Sequence, residues 1–266
     1  MLQGVDLILC EDTRNSRRLL SHYGLDRPLM AVHDHNEGQR SGALILRLGQ
    51  GENFALISDA GTPLINDPGY PLVVKAIEAG IRVVPIPGPC ALIAALSASG
   101  LPVHRFAFEG FPPRRSKARL ALFETLRDET RTLVFYESSH RLEETLGDLA
   151  RVFPEGRRLV VARELTKVYE TILHQTVGEA LARLKADPDQ GKGEFVLMVE
   201  GAPPPEGQET LTPEASRVLG LLLKVLPPST AARVGSEILH IARPVLYEAA
   251  VRSAALSADS ASRRGL

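Results

Sequence analysis

The stretch from Phe54 to Ala91, FALISDAGTPLINDPGYPLVVKAIEAGIRVVPIPGPCA, constrains the fold more than any other part of the chain. Phe54 to Ile57 is an apolar run of strand length that breaks at Ser58-Asp59 into a loop punctuated by Gly61, Pro63, Pro68 and Gly69. From Tyr70 to Ala79 apolar residues recur at helical spacing, and Gly80 supplies a stop. The pattern then predicts a second strand, Ile81 to Ile86, running into Pro87-Gly88-Pro89 and a further helix rich in small residues up to Gly100. Strand–loop–helix repeated twice implies parallel strands with both loops at their carboxyl ends. Open α/β sheets bind ligands at that edge.

Gly61 and Gly88 carry no Cβ, so the backbone there can approach a flat ligand closely. Asp59, at the end of a buried strand, offers an acceptor to a hydroxyl, an amine or the neighbourhood of a sulfonium. On spacing alone, Asp59 and Asn66 serve equally well as turn ties, with the prolines stiffening a connector.

SDAGTPLINDPGY followed by PIPGPCA resembles the tetrapyrrole-methylase superfamily of S-adenosylmethionine-dependent methyltransferases. Within it the chain is similar to enzymes that methylate small-subunit ribosomal RNA at the 2′-O of a decoding-centre cytidine. EDTR at 11–14, HDHNE at 33–37, FEGFPPRRSKAR at 108–119, FYESSHR at 135–141, ARELTK at 162–167 and GEFVLMVEG at 193–201 extend the likeness over nearly the whole chain. The resemblance implies a two-domain α/β tetrapyrrole-methylase fold: an N-terminal α/β domain over 1–104 and a second α/β domain with a mixed sheet over 105–201. A small helical, helix-turn-helix-like extension over 211–257 completes it. It also implies an upstream strand ending in a Pro- and Gly-containing loop, which this sequence does not show before Val5.

Length and composition suit this reading. The 266 residues are 44% hydrophobic and 24% charged, enough for a core in one large or two modest domains. A net charge of −1 excludes a bulk electrostatic nucleic-acid binder, so RNA contact must come from a local patch. Cys10 and Cys90 are the only cysteines, which excludes a disulfide framework or a zinc cluster. No apolar run approaches membrane-spanning length and no signal peptide is present, so the expected location is the cytoplasm.

Asp12 is placed to cap a helix over Thr13–Tyr23, ended by Gly24. Arg14, Arg17 and Arg18 crowd its first turns, against the helix dipole, either for an anionic partner or as a solvated face. His33, Asp34, His35 and Glu37 could be read as a metal cluster, but His33 and His35 are two apart in a loop with no third ligand group of matching spacing, and the resemblance implies no metal. His33 is instead expected to face substrate. Arg114, Arg115, Lys117 and Arg119 crowd a Pro-led loop behind Phe108 and Phe111, and phosphate contact is the favoured role over a solvated face. Further strands are expected at Leu29–Val32, Phe106–Phe108, Arg131–Tyr136, Arg157–Ala162 and Glu194–Val199. Helices are expected at Ser139–Val152, Val177–Lys185, Pro213–Val225, Ser229–Leu239 and Arg243–Leu256.

Methyl transfer to a ribose hydroxyl is an in-line displacement that also needs a proton acceptor. Strand-end groups able to serve are Asp12, His33, Glu137, Glu164 and Lys167, with Asp12, Glu137 and Lys167 as the catalytic set. By resemblance, S-adenosyl-L-methionine is held by Asp59, Ala60, Gly61, Thr62 and Pro63, by Pro87, Gly88, Pro89, Cys90 and Ala91, and by Tyr136, Arg163 and Glu164. The same resemblance implies that Leu197 lies near the adenine. The RNA set is Arg14, His33, Arg114, Arg115, Lys117 and Arg119. The implied partners are small-subunit ribosomal RNA in the assembled 30S particle and a second copy of the chain. A small-molecule methylase of the tetrapyrrole type and a non-catalytic RNA- or ribosome-binding protein remain as alternatives.

Overall fold

A computed structural model describes residues 1–33, 36–203 and 211–251. The chain forms two compact units, Met1–Glu200 and Gly201–Leu266. The first contains two sheets. In the smaller, β1 (Leu7–Cys10) lies between β2 (Leu29–Ala31) and β3 (Phe54–Leu56), all parallel. Helix α1 (Thr13–His22) covers one face through Leu20, against Val5 and Ile8. On the other face α2 (Glu37–Gly49) and α3 (Tyr70–Glu78) bring Leu44 and Leu72 onto Leu7 and Leu9. Burial on both faces explains why β1 reads as a continuous apolar run.

The larger sheet has the order β4-β5-β8-β6-β7, from β4 (Phe106–Gly110), β5 (Thr132–Ser138), β6 (Arg158–Arg163), β7 (Thr171–Thr176) and β8 (Glu194–Val199). β4 and β5 are parallel; the other pairs are antiparallel. Side-chain alternation divides its core. Leu133, Phe135, Leu159, Val161, Leu197 and Val199 meet α5 (Ser116–Leu126), α6 (Leu142–Val152) and α7 (Val177–Ala186). Val134, Val160, Val196 and Met198 face the other way, onto Leu92, Ala95 and Leu96 of α4 (Ala91–Ala98). Each such enclosed side chain contributes roughly 1.5–3 kcal/mol. The small residues of α4 let it lie close to the sheet.

The strand expected at Ile81–Ile86 does not form. β3 spends one edge on β1, through Asn53 O accepting from Asp6 N and Ile57 N donating to Leu9 O. Alternation then aims the peptide groups of Phe54 and Leu56 the other way, where β3 has no strand neighbour among the described residues. Among the described residues no backbone N–H from 82 to 88 meets a backbone acceptor, and Pro85 has none to offer. Val83, Val84 and Ile86 stand 45%, 52% and 54% exposed. A strand is a shared ladder, and local β-propensity cannot supply the missing partner.

The second unit packs α8 (Pro213–Leu222), α9 (Pro228–Leu239) and a helical run at 243–251 around Leu219, Ala231, Ala232, Leu246 and Ala250. Thr212 caps α8 by accepting from Ala215 N. The end of the helix expected to reach Leu256 lies outside the described residues, as do Asp34 and His35.

Candidate active site

The carboxyl ends of β1 and β3 open onto the loops that the sequence marked. Asp59 follows β3, and its carboxylate accepts from Asn15 Nδ2 at 3.2 Å and Ser16 Oγ at 3.3 Å, which fixes it against the first turn of α1. Ala60 N donates to Ser58 Oγ at 3.0 Å, tightening the turn. Thr62 Oγ1 donates to Pro89 O at 2.8 Å, and a Cβ on Gly61 would stand 3.3 Å from the same oxygen. The two loops thus meet at Gly61, Thr62 and Pro89. Leu64 and Asn66 adopt positive φ (71° and 62°), strain that a closely fitted loop stores and an idle connector has no reason to keep. Asn66 reaches the second sheet, where a Cβ on Gly110 would come within 2.9 Å of its Nδ2.

Tyr136, from β5, comes up beside the second loop. Its hydroxyl accepts from Leu92 N at 3.2 Å, and its ring meets Phe108 and Phe111 edge-on at 4.8 and 5.7 Å. Burial pushes the phenol up to about 12, so it remains protonated. Cys90 and Ala91 begin α4 beside this ring and pack with it, while Pro87 and Gly88 lie exposed on the rim. Pro63 is half-buried within the first loop.

Arg163 and Glu164 form a separate cluster at the end of β6. Glu164, at φ 50°, accepts from Glu194 N at 2.9 Å and Lys167 Nζ at 2.8 Å. Lys167 also pairs with Glu194 at 3.0 Å, and Arg163 Nε donates to Lys192 O at 2.6 Å. Among the described residues no hydrogen bond joins this cluster to either loop.

Five expected roles are corrected by the geometry. Asp12 caps α1 and forks onto Arg14 (2.7 Å), whose hydrogen bonds hold its carboxyl down at about 2, too weak a base for neutral pH. Glu137 is 2% exposed and accepts from Thr145 Oγ1 at 2.6 Å and Ser138 N at 2.8 Å, with no surface left for a substrate. The hydrogen bond to Glu164 pushes Lys167 up, so it stays a cation rather than a base. Leu197 is wholly enclosed on the α5–α7 face, with nothing to offer an adenine. Arg119 is 1% exposed and paired with Asp148 at 2.7 Å, so it cannot reach a phosphate.

Of the remaining RNA set, Arg114, Arg115 and Lys117 are exposed, and no ion pair engages their side chains among the described residues. Arg14 is exposed but shared with Asp12. His33 follows β2, where its ring Nε2 lies 2.9 Å from Asn36 Nδ2. Asn15 and Ser16 were not anticipated. Their only signal is position, since a residue three or four places after a helix cap sits over the cap and faces the same strand ends.

The loops suit a flat, sulfonium-bearing nucleoside: two glycines clear the approach, loop backbone lies exposed on the rim, and Asp59 supplies the acceptor. The comparisons with known proteins point to the same class. The family model for Tetrapyrrole (Corrin/Porphyrin) Methylases matches residues 1–181, and the RsmI C-terminal HTH domain matches 209–254. Two solved structures share the fold: a cobalamin biosynthetic enzyme, cobalt precorrin-4 methyltransferase (TM-score 0.52, 15% identity, 75% of this chain and 85% of that one), and the methyltransferase CobJ (0.50, 16%, 75% and 95%). Proteins named Ribosomal RNA small subunit methyltransferase I are 52% identical in Escherichia coli O157:H7 (94% of this chain, 87% of that one) and 50% in Pseudomonas aeruginosa (95% and 89%). That of Synechocystis is 44% identical (93% and 88%). The chain belongs to the ribosomal RNA small subunit methyltransferase I family, within the tetrapyrrole methylases.

Proposed function

We propose that this protein methylates small-subunit ribosomal RNA with S-adenosyl-L-methionine, at the ribose 2′-O of a decoding-centre cytidine, on the 30S particle and as a homodimer in the cytoplasm. The observation that carries the reading is the meeting of the Asp59–Pro63 and Pro87–Ala91 loops at Thr62 and Pro89 in a chain so similar to the named relatives. The bound cofactor would supply an electrophilic methyl group. Gly61 and Gly88 would admit it, Asp59 would offer it a hydrogen-bond acceptor, and the latch between the loops would hold the two sides of the site together.

The proton of the ribose hydroxyl must pass to a nearby base. With Asp12, Glu137 and Lys167 in structural roles, His33 is the group we assign, since imidazole is the side chain best matched to proton transfer near neutral pH. Among the described residues Arg114, Arg115 and Lys117 carry no carboxylate partner, and their exposed charges suit phosphates. Methyl incorporation from labelled cofactor into 30S particles, followed by mapping of ribose-methylated positions, tests the reading. Label in a cytidine ribose supports it. Label in a base, or cofactor binding without incorporation, overturns it.

A further inference from the structure

Two guanidinium groups, Arg119 buried and Arg141 half-buried, hold the backbone of the loop that carries the exposed cations. Arg141, in the turn before α6, donates through Nη2 to Pro112 O and to Pro113 O, the latter at 3.4 Å. Arg119, on α5, donates through Nη1 to Pro113 O at 3.4 Å and Arg114 O at 3.3 Å. Three successive carbonyls are therefore gripped from within. Each grip is itself anchored. Arg119 is paired with Asp148 (Nε to Oδ2, 2.8 Å), which also accepts from Ser116 Oγ at 2.9 Å. Arg141 is paired with Glu137 at 3.3 Å, and Glu137 accepts from Thr145.

The consequence is a division among neighbouring cations. Arg119 spends its donors on backbone oxygen and carboxylate, and Arg141 directs Nη2 to backbone oxygen and to Glu137. Phe111, Arg114, Arg115 and Lys117 point outward and are exposed. Burying an ion pair such as Arg119–Asp148 is a poor way to gain stability, because desolvation offsets the attraction. It is an effective way to fix a backbone. A loop ordered in advance loses less freedom on binding, so its side chains recognise an anionic lattice at lower cost.

We propose that Arg119 and Arg141 are positioning residues for RNA recognition, setting the Pro112–Arg115 backbone so that Arg114, Arg115 and Lys117 meet successive phosphates. The proposal rests on the reading of ribosomal RNA as substrate. It goes further in assigning Arg119 and Arg141 to loop geometry and the exposed cations of the basic segment to contact.

The test uses the full-length protein and 30S particles. Glu137→Gln combined with Arg141→Met removes both charges of one anchor together, so neither is left buried alone. Pro113→Gly is the second variant, loosening the loop while leaving both ion pairs in place. Expected for each is a loss of 30S affinity of about tenfold, the equivalent of roughly 1.4 kcal/mol. The slope of log affinity against log salt should become shallower as a phosphate contact is lost. The cofactor dissociation constant should not change. Unchanged 30S affinity and salt slope in Pro113→Gly overturns the proposal, whatever becomes of the charge-removal variant. Failure of the unmodified protein to bind 30S particles instead overturns the RNA reading on which it rests.

Discussion

The hydroxyl of Thr62 donates to the carbonyl of Pro89 across 2.8 Å, joining the loop after β3 to the loop before α4. Gly61 lies under the same oxygen at φ 153°, and a Cβ there would stand 3.3 Å from it. Gly61→Ala adds backbone strain of order 1–3 kcal/mol and pushes the loops apart. Calorimetric titration is expected to show cofactor affinity reduced by at least about tenfold. Thr62→Val, which removes only the latch, should fall between that variant and the unmodified protein. An undiminished affinity in both would separate the latch from the cofactor.

Lys167 sits between Glu164 at 2.8 Å and Glu194 at 3.0 Å, and these partners favour its protonated form. Lys167→Arg keeps the charge and cannot act as a base at any accessible pH. The pH profile of methyl transfer should therefore keep its shape in this variant, with the rate within about threefold of the original, since a lost general base typically costs 10²–10⁴-fold. Loss of the alkaline limb would return the lysine to the chemistry.

Some of this site was legible in the sequence and some was not, for reasons visible in individual residues. Asp12 as a cap, Gly24 and Gly80 as stops, and the glycines of the two loops are properties of a few adjacent residues, and local pattern suffices for them. Strand formation at Ile81–Ile86 depends on a neighbour, so its apolar run was misleading. Arg119 and Glu137 read as surface chemistry because charge is seldom buried. Their partners, Asp148 and Thr145, lie 29 and 8 residues away and meet them only when α6 folds over the sheet. Lys167 was chosen as a base for its position at a strand end. Glu194, the partner that helps keep it protonated, arrives from 27 residues downstream.

Glu129 is held down at about 2, first by the side-chain hydrogen bond from Arg131 and then by the Arg131 backbone N–H at 2.9 Å. A carboxylate whose folded-state pKa lies below its unfolded value stabilises the fold above the unfolded value, here about 4.5. That contribution is lost as pH falls toward about 2. Glu129→Gln removes it. The melting temperature of the unmodified protein should exceed that of the variant at pH 6, and the difference should shrink steadily between about 4.5 and 2. A difference independent of pH over that window would place the interaction with the amide geometry rather than the charge.

The outer edge of β3 and the run at 82–88 bear on the proposed cofactor site directly, because that run leads into Pro87, Gly88 and Pro89. Amides without a partner and with exposed neighbours open at almost no cost, whereas central strands open only with the whole domain. Hydrogen exchange in the protein alone should be faster at 82–88 than at 133–137 and 195–199 by on the order of a thousandfold or more. Adding S-adenosyl-L-methionine should slow exchange at 60–62 and 88–90 together, since the latch at Thr62 and Pro89 makes the two loops one binding element. Protection of one loop without the other would mean that they grip independently, and the shared site would have to be abandoned.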